Sequence, residues 1–239
     1  MYKKITHNII EEHWDNVCVP AEPVNPMNGS SSNMVTSRRV TATWPITPNT
    51  WNYVTAVRNQ FNQFNSLLRA YAISALANSP DTTYTKNELL KVTDEFTTFF
   101  DPYFGSSSSM MLTAPLKNFV NEFVDYVDNV KAGRDVTSIK ASLMQKLQSF
   151  ADTMTALSPQ WWTSIGQTAS QYLTAYGTHA LDQVMFRKAS KWSEDIDAYN
   201  VASNIIANGP VYQTPFGGSP DFATILANSI VRQFPDKFN

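Results

Sequence analysis

The chain has 239 residues and a formal net charge of −2, and only 16% of its residues are charged, against about 25% in ordinary soluble domains. That balance excludes nucleic acid as the main partner, because phosphate binding needs a basic patch and no Lys/Arg cluster occurs. A single cysteine, Cys18, excludes an internal disulfide framework, and no apolar run approaches the roughly 18–20 residues of a membrane span.

Residues 4–18 read as a short helix with Ile5, Ile9, Ile10, Trp14 and Val17 on one stripe. The opening MYKKITHNIIEEHWD turns polar before the apolar core of a secretory signal, so the expected location is the cytoplasm or a virus particle. Residues 19–48 change character. Pro20, Pro23, Pro26, Pro45 and Pro48 fall here, and Asn28 to Asn33 is a turn or flexible run. Val35 to Trp44 is β-branched and alternating, a lone strand or extended chain that needs a partner for its backbone. Arg38, Arg39 and Trp44 are its candidate interaction residues. The expected division is a short helix plus extended arm over 1–48 and a helical domain over 49–239.

The organising stretch runs from Thr50 to Ser79. Val54, Val57, Phe61, Phe64, Leu68, Tyr71 and Ala75 recur at steps of three and four, one face of a helix. Its only charges are Arg58 and Arg69, and Asn, Gln, Ser and Thr fill the other faces. A long helix so poor in charge is expected to be surrounded by other protein.

Thr85-Lys86-Asn87-Glu88 has capping-box spacing, and Leu89, Val92, Phe96 and Phe99 follow up to Asp101-Pro102. Gly105 and four serines interrupt the pattern. Thr113, with Pro115 in the first turn, then reads as the cap of a helix carrying Leu116, Phe119, Val120, Phe123, Val127 and Val130, stopped by Gly133. Asp135 can cap the next, with Val136, Ile139, Leu143, Leu147, Phe150, Met154 and Leu157 on a buried stripe.

Ser158-Pro159 opens a helix through Trp161, Trp162, Tyr172 and Leu173, which Gly177 kinks or interrupts. The pattern resumes through Leu181, Val184, Met185, Ala189, Trp192, Ile196 and Tyr199 to Ile205-Ile206, with Glu194, Asp195 and Asp197 expected on the outer side. After a loop at 211–218, Ser219-Pro220-Asp221 starts the last helix, with Phe222, Ile225, Leu226, Ile230 and Phe234. The fold class is therefore all-α: about six helices in a bundle around a long central helix (50–79), preceded by a Pro/Ser-rich arm.

Chemistry is sparse. His7 and Glu11 share a helical face near His13 and Asp15, but no third ligand converges, so no metal is expected. Cys18 and His13 match no nucleophile signature, His179 with Asp182 reads as a surface pair, and no Gly-rich phosphate cradle occurs. No catalytic residue and no cofactor is assigned. Adjacent Trp161 and Trp162 point about 100° apart; either both are covered by their own chain, the commoner outcome, or one lies at an edge where exposed Trp serves binding. Phe234 and Phe238 flank a proline and either dock into a neighbour or fold back on the bundle.

These features favour a non-enzymatic assembly protein whose partners are other protein subunits, as a homo-oligomer or in a larger particle. A virus component such as a phage head–tail connector or ring subunit has this profile. The alternative is a ligand-binding or enzymatic bundle whose aromatics (Phe96, Phe99, Phe100, Tyr103, Phe104, Trp161, Trp162, Tyr172, Tyr176) line an apolar pocket.

Overall fold

The structure is a computed structural model that describes residues 47–158, 168–209 and 220–239. The expectations for helix 4–18, the arm to residue 46, Cys18, the His7/Glu11 group, Trp161, Trp162 and the 211–218 loop lie outside the described residues. Every regular element among the described residues is helical: α1 (Pro48–Ala77), α2 (Thr82–Phe104), α3 (Ser106–Ala132), α4 (Thr137–Leu157), α5 (Ala169–Lys188), α6 (Trp192–Ser203) and α7 (Phe222–Gln233). A π turn (Asn204–Asn208) extends α6, and a 3-10 turn (Pro235–Lys237) follows α7.

Helix α1 begins where local chemistry places it. The Thr47 hydroxyl accepts from the Thr50 amide at 3.1 Å, and Pro48 takes the first turn, where a missing N–H costs nothing. Pro48 therefore belongs to the helix rather than to the arm. The predicted stripe from Val54 to Ala75 is buried throughout. Asn78 closes the helix in the left-handed region at φ 56°, a conformation Asn tolerates better than most residues.

Two predicted starts move upstream. Helix α2 begins at Thr82, so Thr85 is interior, and its hydroxyl donates to the carbonyls of Asp81 and Thr82 at 3.2 and 3.0 Å instead of capping. Helix α3 begins at Ser106, which puts Thr113 and Pro115 inside it. The Thr113 hydroxyl donates to the Ser109 carbonyl at 2.9 Å. The reason is tertiary: Ser109 and Leu112 are buried, and packing against α2 outweighs the weak helix propensity of a serine run. Pro115 deprives only the carbonyl of Met111, an exposed residue, of its helical donor.

One further boundary follows the sequence and the next misses it by a residue, since Val136 rather than Asp135 holds the cap position of α4. Gly133 ends α3 at φ 69°, and the Asp135 carboxylate accepts from the amide and hydroxyl of Thr137 at 3.0 and 2.7 Å. Those bonds from Thr137 hold the Asp135 carboxyl below its usual range. At Gly133 a Cβ would meet no atom within 4 Å, so Gly133→Ala loses only the backbone preference. Urea denaturation is expected to read a loss of about 1 kcal/mol.

Helix α5 opens on a reciprocal capping box between Thr168 and Gln171. Gly177 does not break it. It sits buried inside the helix, where an added Cβ would lie 2.5 Å from Leu147 Cδ1 and 2.9 Å from Met144 Sδ; glycine is there so that α4 and α5 can approach. The interruption falls at Ser190 instead, at φ 59°, and separates α5 from α6.

The element enclosed on all sides is the short helix α7, not the long α1. All of residues 222–231 except Asn228 are buried. On α1, by contrast, Asn52, Thr55, Ala56, Asn59, Gln63 and Ser66 are exposed. The expectation of a wholly surrounded rod is corrected accordingly: α1 buries its apolar face and leaves an outer flank bare.

Candidate functional site

The character of that flank depends on where the two arginines of α1 go. Both turn inward. Arg69 grips Asp195 of α6 with two bonds, Nη1 to Oδ1 at 2.7 Å and Nη2 to Oδ2 at 3.0 Å. It also donates to Gln183 Oε1 of α5 at 3.0 Å. Arg187 donates to the other side of the same carboxylate, Oδ2, at 2.8 Å. Asp195 is 1% exposed between them. The expectation that the acids of α6 lie outward is thereby inverted for Asp195, because two guanidinium groups from α1 and α5 compensate the buried charge.

Arg58 serves the other end of the same segment. Its Nε donates to the Ala207 carbonyl at 2.9 Å and its Nη2 to the Gly209 carbonyl at 2.8 Å. These carbonyls close the π turn and have no helical donor, so a guanidinium from α1 acts as their cap. Nη2 also lies 3.1 Å from Asp221 Oδ2, outside hydrogen-bonding geometry. Asp221 Oδ1 caps α7, accepting from the Thr224 amide at 2.7 Å. Burial pushes the Asp221 carboxyl above its usual range despite the opposing pull of Thr224 and Arg58.

That shift has a sign. The folded chain holds this proton more tightly than the unfolded chain, so the contribution of Asp221 to stability is full below the ordinary carboxylate pKa. It is lost as pH rises through the raised folded value. Asp221→Asn keeps a good capping residue without the titration. Its stability relative to the parent is expected to rise between about pH 4 and pH 7, measured by urea unfolding across that range.

With both arginines spent internally, the outer flank of α1 carries no charge at all. Asn52, Thr55, Ala56, Asn59, Gln63 and Ser66 fall within about 100° of arc at 3.6 residues per turn. On one side Gln60 Nε2 reaches the Val92 carbonyl of α2 at 3.3 Å. On the other, the Ser66 hydroxyl meets Tyr199 OH of α6 at 3.4 Å, and Asn62 and Asn208 exchange two amide bonds at 2.6 Å.

The edge of α6 beside Tyr199 is apolar and open. Trp192 is 55% and Ile196 51% exposed; spaced four apart, they share one line of the helix with Tyr199. The helical spacing predicts that both face inward. The inward positions belong instead to Asp195, Ala198 and Ala202, because the small alanines let α6 lie close to its neighbours. The Tyr199 ring carries the Arg69 guanidinium 4.7 Å from its centroid, and Arg187 lies 5.4 Å from the Trp192 ring. The result is one surface: an amide and hydroxyl stripe beside an exposed aromatic edge, with guanidinium groups beneath.

The other predicted contact residues divide in two. Trp161, Trp162, Arg38, Arg39 and Trp44 lie outside the described residues. Phe234 and Phe238 take the second of their two alternatives and fold back on their own chain. The Phe238 ring stacks on Tyr103 at 5.5 Å and meets Tyr53 at 4.9 Å, and the Thr47 hydroxyl donates to the Phe238 carbonyl at 2.8 Å. Phe234 packs on Phe104 at 5.6 Å.

Of the aromatics named for a pocket, those of α2 pack on one another or on α1. Phe96 lies 4.7 Å from Phe61 and 6.1 Å from Phe100, and Phe99 stacks on Tyr53 at 5.4 Å. Asp182 is engaged by Lys140 at 2.6 Å rather than reserved for His179. Among the described residues no group of three or more His, Cys, Asp or Glu is placed to hold a metal ion, and no helix is long and apolar enough to cross a membrane.

The exposed stripe has one signal in the sequence, the presence of only two arginines on a thirty-residue helix. Their scarcity marks the face without them, but which way each arginine turns is decided by Asp195 and Asp221, more than a hundred residues away. Comparison of the chain with protein-family models, with curated proteins and with solved structures gave no match.

Proposed function

We propose that this chain is a non-enzymatic structural protein that acts through protein–protein contacts, as a homo-oligomer or as one component of a larger assembly. The observation that carries this reading is the uncharged outer flank of α1 beside the exposed Trp192–Ile196 edge. Helix faces that meet bulk water ordinarily carry charged side chains. Interface centres are depleted of charge and enriched in Trp, Tyr and Arg, the residue types gathered here. A subunit held in a particle can replace surface charge by amides and hydroxyls, because its solubility as a free monomer matters less.

The arrangement proposed is a helical bundle with α1 as its longest element, and with the Pro/Ser-rich residues 1–46 as a contact arm in which Arg38, Arg39 and Trp44 take part. A virus particle, in a connector or ring position, is the setting this profile fits. Native mass spectrometry and light scattering of the full chain across a wide concentration range test the reading. Multimers whose population rises with concentration are expected. A clean monomer at the highest concentration, alone and with candidate neighbours, would count decisively against it.

A further inference from the structure

We infer that the outer flank of α1 pairs with the same flank of a second copy of this chain, antiparallel, about a two-fold axis beside Asn59. This deepens the assembly role and rests on it.

Three observations lead there. The first is symmetry of chemistry along the helix. Taking Asn59 as centre, Thr55 opposes Gln63 and Asn52 opposes Ser66, polar side chains that can bond across the axis, while Ala56 adds no polar group. Asn, Gln, Ser and Thr each carry both donors and acceptors, so a stripe of them is complementary to itself. A two-fold interface requires that property, because the same patch meets itself. The reciprocal Asn62–Asn208 amide pair shows the bond that two facing Asn59 side chains would form.

The second is charge. No like charges are brought together on the axis, since Arg58, the one ion within residues 52–66, is turned away to the Ala207 and Gly209 carbonyls. The α2 edge alongside has mixed signs, with Lys91 at 3.6 Å from Glu88 and 3.9 Å from Glu95. An antiparallel two-fold lays this edge near its own copy, where both signs find partners.

The third is area. The stripe alone measures about 21 Å by 10–12 Å, too little for a stable pair. With the α2 edge on one side and the Tyr199–Asn208 segment on the other, which meets Ser66 and Asn62, the face is about 21 Å by 30 Å, roughly 600 Å² per copy. Two copies then bury about 1,200 Å², the lower bound of stable specific interfaces.

The test uses the full chain with Cys18→Ser, so that one introduced thiol is present. In helices packed 8–10 Å apart, residues on the axis have Cα atoms about 5 Å from each other at the wider spacing, within disulfide reach. Asn59→Cys is expected to give a covalent dimer as the main product of mild oxidation. Ser138→Cys, on the exposed start of α4, is the control and is expected to stay monomeric on a denaturing gel.

Asn59→Lys places two ammonium groups face to face and is expected to weaken self-association at least tenfold by sedimentation. Lys is the better helix former, so folding is retained and circular dichroism verifies it. If Asn59→Cys cross-links no more than the control and Asn59→Lys leaves the oligomer unchanged, the pairing is wrong while the assembly role stands on another face. If the parent is a monomer at every concentration, both fail. An Asn59→Cys chain that stays monomeric yet shields its introduced thiol from a maleimide reagent would give the stripe to another occupant and overturn the pairing.

Discussion

Replacing Asp195 with Ala is expected to destabilise the protein by about 3–5 kcal/mol, the largest loss from any single charged residue of the bundle. The carboxylate is 1% exposed and receives three N–H bonds, two from Arg69 and one from Arg187. Its removal leaves two guanidinium groups facing each other in a partly dry space. Their side chains are 18% and 27% exposed, so each recovers some hydration, which sets the loss toward the lower end of that range.

The comparison among variants separates the causes. Asp195→Asn keeps the shape and one acceptor oxygen but not the charge, and is expected to lose somewhat less than Ala. Arg187→Ala is expected to lose less again, because Arg69 still holds the carboxylate with both nitrogens. Urea unfolding at neutral pH with the slope compared across variants measures the series. Added salt is expected to change the ranking little, since mobile ions screen a buried cluster poorly. A loss under about 1 kcal/mol for Asp195→Ala, the scale of an exposed ion pair, would mean that the cluster is a surface pair and that α6 is held by its alanines alone.

Phe222→Ala is the second large effect, at about 3–5 kcal/mol. Phe222 is the first residue of α7, fully buried, and its ring lies 5.3 Å from Phe61, 6.5 Å from Phe150 and 6.5 Å from Tyr172. One side chain therefore joins α1, α4, α5 and α7. Truncation removes transfer energy and leaves a void walled by three aromatic rings, which cannot collapse to fill it as aliphatic chains would. For a domain of this size the midpoint of thermal unfolding is expected to fall by roughly 6–20 °C. Calorimetry checks it, and Phe222→Leu, which refills much of the volume, is expected to recover more than half of the loss. Equal losses for Ala and Leu would place the energy in ring–ring contact rather than in volume.

Both variants bear on why the sequence is readable only in part. The apolar stripes of α1, α3 and α4 are legible because helical periodicity is local: Val54 to Ala75 and Leu116 to Val130 repeat at three and four residues whatever they pack against. Gly133 is legible for the same reason, as the left-handed stop acts within a few residues. The early starts of α2 and α3 are not, because Thr85 and Thr113 are chemically good caps. Whether Thr113 caps or lies within its helix depends on burial of Ser109 and Leu112 against another element.

The candidate surface is hidden more deeply. A charge count assigns Asp195 to water and Trp192 to the core, and the fold does the opposite with each. Composition and periodicity alone establish a helical chain, poor in charge, with one long rod and no recognised catalytic signature. Only the packed chain decides that Arg58 and Arg69 are consumed by partners far along the sequence. The cost of burying a charge falls steeply when an opposite charge is held against it, and no local pattern records which distant residue will be there. The bare, uncharged flank of α1 is a consequence of that distant pairing.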